Sequence, residues 1–227
     1  ASDTEDLLEQ LLDVPVPWFD FRPVALWCAG HRDVCRRCIA HGHVTSVETA
    51  LTMLEEGDAA LQVELLDRWT TGPWASCDQD TDQWGVAMCL ARHGSTEARL
   101  ALLNKWTPEQ CGSLIQNGTQ STVAMHLAYY GNTEVRLALL DKWTPEQCGS
   151  RMQNDDQSTV AIYLAKSGSD DVRLALLDKW TPEQCASHLQ DSNGHTVAMH
   201  LAINGSDEVR LALLDKWSPE QIGRAHV

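Results

Sequence analysis

The chain has 227 residues, a formal net charge of −15 and eight cysteines. That length holds one domain or a short repeat array, and nothing in it approaches the ~18 consecutive apolar residues that suggest a membrane span. So acidic a chain also lacks the basic face that nucleic-acid phosphates require.

Residues 1–23 read as an acidic N-terminal segment or cap, and 24–48 as a divergent helical unit. No signal-peptide pattern opens the chain, although a trimmed sequence could have lost one; a cytoplasmic location is expected on the ground of reduced thiols. The second segment contains "CAGHRDVCRRCIAHGH", in which Cys28, His31, Cys35, Cys38, His41 and His43 are all competent zinc ligands. The spacing Cys-x2-His-x3-Cys-x2-Cys is similar to the middle of a RING domain, but the further cysteine pairs a RING needs are missing. A plain helix with Val34, Cys35 and Cys38 facing inward accounts for the same residues. That reading is preferred, so no metal and no cofactor are expected.

From residue 49 onward the chain repeats. Trp69, Trp106, Trp143, Trp180 and Trp217 are each 37 residues apart, as are Gly57, Gly94, Gly131, Gly168 and Gly205. A fixed period in the range of ~20–50 residues indicates stacked units, each burying its neighbour's face. Five units follow. The first is degenerate, with "TTGPWASC" where later units read "TPEQCGSL", and the last is truncated. In the first unit Asp78, Asp80 and Asp82 alternate like the start of a calcium loop. Gln83 and Cys89 then occupy the places of the required Gly and Glu, so a solvated acidic turn is expected.

Each unit predicts three short helices. "TVAMHLAYY" has Thr122 as N-cap and Gly131 just past its end, where a left-handed residue is expected. "TEVRLALLDKW" has Thr133 as its cap, Glu134 in the first turn and an apolar stripe of Val135, Ala138 and Leu139, widened by Leu137 and Leu140. The recurrent "KWTPEQC" then encodes a corner. Thr107 is the N-cap, Pro108 is N1 and Gln110 completes a capping box. Trp106 and Cys111 hold the two positions of a hydrophobic staple. The third helix is expected to stop at Asn117, with Asp80, Asn154 and Asp191 as its equivalents, all residue types that tolerate the left-handed conformation. The tryptophans are expected to pack between units; the alternative is an exposed ladder for stacking a ligand. Cys111, Cys148 and Cys185 hold one position in successive units, so they would be about one interaxial distance, roughly 10 Å, apart. A disulfide needs Cα atoms closer than about 7 Å, so these thiols should be reduced and buried. Reduced thiols also suit an intracellular compartment.

"TVAMHLAYYGNTEVRLALL" resembles the ankyrin repeat, which shows T-P-L-H-x-A, a glycine, and a second helix with an acidic start and a Leu-Leu pair. "GHRDVCRRCIAHGH", residues 30–43, resembles its second helix with cysteines in aliphatic positions, which makes 24–48 a divergent ankyrin-like unit. The resemblance implies an all-α, ankyrin-like α-solenoid. It also implies a structural, hydrogen-bonding role for His126 and His200. Two departures are plain: the period is 37 rather than 33, and a capped helix replaces the family's β-hairpin finger. "TPEQCGSLIQNG" separately resembles the opening of the DNA-reading repeats of transcription-activator-like effectors, with Asn117-Gly118 at the reading pair. The excess of acid over base in these repeats rejects that function.

No nucleophile elbow, phosphate loop or zinc-protease motif is present, so no catalytic residue is assigned. Variation between units points to binding instead. Arg92-His93, Tyr129-Tyr130, Lys166-Ser167 and Ile203-Asn204 differ while the frame stays fixed, as do "LIQNGTQS", "RMQNDDQS" and "HLQDSNGH". The expected function is a non-enzymatic protein-interaction scaffold. It would be a monomer that binds a protein of basic or neutral surface through Arg92, His93, Tyr129, Tyr130, Lys166, Ile203 and Asn204. Near-identity of the later units resembles repeat effectors delivered into a host cell, which makes host cytoplasm a second location. The alternatives are a zinc-binding, ubiquitin-ligase-like or regulatory protein built on residues 28–43, or the accessory repeats of a larger effector enzyme.

Overall fold

The computed structural model describes residues 58–69, 86–112, 121–149, 157–185 and 190–216. Among these residues every regular element is a helix. α1 (Ala59–Trp69) precedes three units of three helices. The first unit comprises α2 (Val86–His93), α3 (Thr96–Lys105) and α4 (Pro108–Gly112). The second comprises α5 (Val123–Tyr130), α6 (Thr133–Lys142) and α7 (Pro145–Cys148). The third comprises α8 (Val160–Ser167), α9 (Asp170–Lys179) and α10 (Pro182–Cys185). α11 (Val197–Asn204) and α12 (Asp207–Lys216) begin the next.

Like packs on like. α2, α5, α8 and α11 stack in one layer, and α1, α3, α6, α9 and α12 in a second. The short α4 and α7 bridge to the first helix of the following unit. The first-layer helices are buried almost all round: Val123, Ala124, Met125, Leu127 and Ala128 of α5 are nearly or wholly inaccessible, as are their counterparts in α8. Second-layer helices bury a stripe of Val135, Leu139 and Leu140 in α6, with Leu137 and Ala138 partly covered. At the far side of α12, Leu211 and Leu214 are exposed.

The caps explain where the helices begin. Thr122, Thr159 and Thr196 accept a hydrogen bond from the third residue after them, the usual N-cap geometry. For the second helix the expectation fails by one residue. Asn132, not Thr133, is the N-cap of α6, its Oδ1 accepting from Val135 N at 3.1 Å. Thr133 instead donates from Oγ1 to Ser169 Oγ of the next unit at 3.1 Å. The glycine reading also needs correction. Gly131 sits at φ −65°, ψ 150°, an extended conformation open to any residue. Glycine is needed there for space, because a Cβ would lie 2.3 Å from Leu127 O and 2.9 Å from Val135 Cγ1. The chain doubles back so tightly that the first residue of the turn has no room for a side chain.

The heptapeptide serves three elements at once. Its lysine caps the previous unit: Lys142, Lys179 and Lys216 donate from Nζ to the carbonyls of Leu103, Leu140 and Leu177, near the C-terminal ends of the preceding second-layer helices. A cation there satisfies an orphan carbonyl and meets the negative end of the helix dipole. Its tryptophan ends the helix of its own unit. Trp143 takes an extended C-cap conformation, its N–H bonded to Leu139 O, and only 3% of it is accessible. Trp180 is equally buried, and Trp106 partly so, which favours packing over a ligand-stacking ladder. The indole Nε1 of Trp143 and of Trp180 has no hydrogen-bond partner among the described residues. Its threonine and glutamine form the expected capping box, reciprocal at Thr144–Gln147 and at Thr181–Gln184. The third helix is shorter than expected: α7 is a single turn closed by Gly149, whose N–H bonds to Pro145 O at 2.8 Å.

Candidate interaction face and a histidine–aspartate cluster

The four variable pairs all fall at the C-terminal end of a first-layer helix. Stacking of α2, α5, α8 and α11 therefore brings them to one edge. Their backbone is held from the second layer. Arg99, Arg136, Arg173 and Arg210 donate from Nε to the carbonyls of Ala91, Ala128, Ala165 and Ala202 at 2.8–3.1 Å. With the last carbonyls satisfied by a repeated arginine, the side chains beyond them are released from that task.

Those side chains form neighbouring groups. The guanidinium of Arg92 lies 5.5 Å from the ring centroid of Tyr130 in the following unit, a cation–π contact. Tyr130 meets Tyr129 edge-on at 4.7 Å, and Tyr129 meets Tyr163 of the next unit at 5.4 Å. Tyr129 and Tyr130 remain 45% and 38% accessible. His93, Lys166 and Ile203 are exposed. Asn204 is turned back on its own helix, with Nδ2 donating to His200 O at 3.1 Å and lying 3.4 Å from His200 Nδ1. Tyr163 escaped the sequence reading, because it occupies the place of His126, for which a structural role was expected, rather than a variable pair.

A second constellation was not foreseen at all. Residues 190–196 form a tight loop before α11, with Gly194 at φ +79°. Asp191 is buried beneath it. It was expected to end a helix in the left-handed conformation, but among the described non-glycine residues only Gln157 has a positive φ. Asp191 instead organises the loop. Its N–H donates to His195 O, and its Oδ1 accepts from Asn193 N at 3.0 Å and His195 N at 2.9 Å. Its Oδ2 lies 3.0 Å from His200 Nε2 and 4.0 Å from His195 Nδ1. Burial opposes ionisation of this carboxyl, but the His195 N–H, the His200 imidazole and the Asn193 N–H outweigh it and hold its pKa low. Burial keeps His200 below the usual imidazole range, against the pull of Asp191 and with help from the charges of His195 and Lys166. A neutral ring beside a carboxylate is the state at neutral pH. The signal was present as Asp-x3-His-x4-His. The matching positions are Asn154, Ser158 and Tyr163 one unit earlier, and Asn117, Ser121 and His126 before that.

The thiols among the described residues are unreactive. Cys89, Cys111, Cys148 and Cys185 form no disulfide and are buried, and burial pushes the last three thiols up to about 12 despite the neighbouring Lys142, Lys179 and Lys216. Such thiols are weak nucleophiles. Among the described residues no helix is long and apolar enough to cross a membrane. The zinc candidates Cys28, Cys35, Cys38, His41 and His43, and the acidic turn of Asp78, Asp80 and Asp82, lie outside the described residues, as do Asn117 and Asn154. No family model, no curated protein and no solved structure matches this chain, so its likeness to ankyrin repeats rests on the sequence motif.

Proposed function

We propose that this chain is a non-enzymatic, ankyrin-like α-solenoid that binds another protein along the C-terminal edge of its first-layer helices. One observation carries the reading. Three of the residues that vary between otherwise near-identical units, Arg92, Tyr130 and Tyr129, form with Tyr163 an unbroken series of ring contacts at that edge. Two half-exposed tyrosines offer large contact area at low entropic cost, and aromatic and arginine side chains dominate binding hot spots. The frame beneath them is buried and repetitive, so each unit can change its contact residues without repacking. The partner should present a basic or neutral surface, since the chain carries a net charge of −15.

The test is affinity capture from lysate with the full chain as bait, followed by calorimetry on the partner identified. Changing Tyr129 and Tyr130 together to Ala should weaken binding by at least ~2 kcal/mol and leave the far-UV circular dichroism unchanged. Unchanged affinity in the double variant would place the interface elsewhere.

A further inference from the structure

We propose that Asp191, His195 and His200 form a binding site for a zinc-class divalent cation, with the metal ligated by Asp191 Oδ2, His195 Nδ1 and His200 Nε2. The donor atoms all lie within 4.8 Å of one another. In a tetrahedral zinc site with bonds of about 2.0–2.2 Å the donors are roughly 3.4 Å apart. The separations of 3.0 Å and 4.0 Å to Asp191 Oδ2 bracket that value. Two imidazoles and one carboxylate suit zinc rather than calcium or magnesium, which take oxygen ligands.

The site is built, not merely crowded. Asp191 and His200 expose 3% and 5% of their side chains, so both are fixed by packing. The second oxygen of Asp191 is occupied by two backbone N–H groups, which aims Oδ2 at the histidines. Oriented ligands of this kind characterise metal centres. His195, by contrast, is 41% exposed and follows Gly194, so it can close the last ångström and leaves a coordination position towards solvent.

The repeat supplies an internal control. Asn154, Ser158 and Tyr163 hold the same places one unit earlier, and the helix pair α8–α9 that follows them matches α11–α12 in length, with a threonine N-cap on both α8 and α11. The scaffold does not need an aspartate and two histidines there. An Asp191–His200 hydrogen bond would suffice to pin the loop; the His195 ring adds an edge-on contact with the His200 ring at 5.4 Å, which also holds the two imidazoles together beside Asp191.

Binding requires a shift of one proton within His200. A neutral His200 that bonds Asp191 Oδ2 through Nε2 carries its ring proton there, since a carboxylate can only accept. The cation takes that proton's place between the two residues. The proton moves to Nδ1, and the exposed Asn204 side chain, whose Nδ2 now lies 3.4 Å from that atom and donates to His200 O, swings aside.

The experiment uses the full chain, stripped of metal and kept reduced. Zn2+ is titrated by calorimetry, and Co2+ is followed by absorption, because thiolate ligation adds charge-transfer bands that nitrogen and oxygen ligands do not. Outer-shell changes alone weaken metal binding ~10–100-fold. Loss of a ligand in His195→Ser should therefore weaken the site at least ~10-fold, and its exposed position leaves the fold intact. The triple change Asp191→Asn, His195→Ser, His200→Tyr installs the preceding unit's residues and should abolish one equivalent of nitrogen- and oxygen-ligated cobalt. Equal uptake by the native and triple-variant proteins would overturn the proposal, as would a cobalt spectrum that is wholly thiolate in type or no uptake at all.

Discussion

Truncating Trp143 to Ala tests whether the corner motif holds the units together. An indole buries about 150–250 Å², and most of that is lost on truncation, worth ~4–5 kcal/mol at ~25 cal/mol per Å². One term offsets this. The Nε1 of Trp143 has no hydrogen-bond partner among the described residues, and a buried unsatisfied N–H costs ~1–3 kcal/mol that the variant no longer bears. The expected net loss is about 3 kcal/mol, at the lower end of the ~3–5 kcal/mol usual for Trp→Ala in a core. The assay is urea unfolding followed by far-UV circular dichroism, since nine tryptophans make fluorescence hard to assign. Stacked units can unfold in parts, so the slope must be compared along with the midpoint. Trp106→Ala, at a partly buried equivalent, should cost less. A loss under ~1 kcal/mol at Trp143, or a larger loss at Trp106, would refute the claim that burial between units is what this residue supplies.

Gly131→Ala should destabilise by ~1–3 kcal/mol through overpacking against Leu127 O and Val135, despite a backbone conformation that alanine adopts freely; an unchanged urea midpoint would mean the turn has slack. His126 adds a pH dependence. Burial, then the charges of Arg92 and His93, depress its pKa to about 4, so the unfolded chain holds a proton that the folded chain refuses between pH ~6.5 and that value. Stability should be flat above that window and fall within it as pH drops, by up to roughly 3 kcal/mol from this group. The change His126→Tyr, which installs the residue found at 163, should flatten the difference curve; parallel curves for the two proteins would assign the loss to other groups.

The local code was legible because it is repeated. Each capping threonine, the proline at N1 and the Thr–Gln box act within four residues, so their chemistry needs no tertiary context, and Thr144–Gln147 forms as its sequence dictates. Burial of the cysteines and of Trp143 and Trp180 followed from the period, because a position fixed in every unit is one that every neighbour touches. What lay beyond the sequence is what acts across units or through space. The lysine of "KWTPEQC" bonds a carbonyl of the preceding unit. The glycine is required by a clash that exists only once two helices fold back on each other. Tyr163 joins Tyr129 because their helices stack, although 34 positions separate them in the chain. Asp191, His195 and His200 read singly as a helix end, the last residue of the variable segment "HLQDSNGH" and a structural histidine. Only the fold of residues 190–196 over the start of α11 turns three side chains on to one point, since convergence depends on backbone direction and not on residue type.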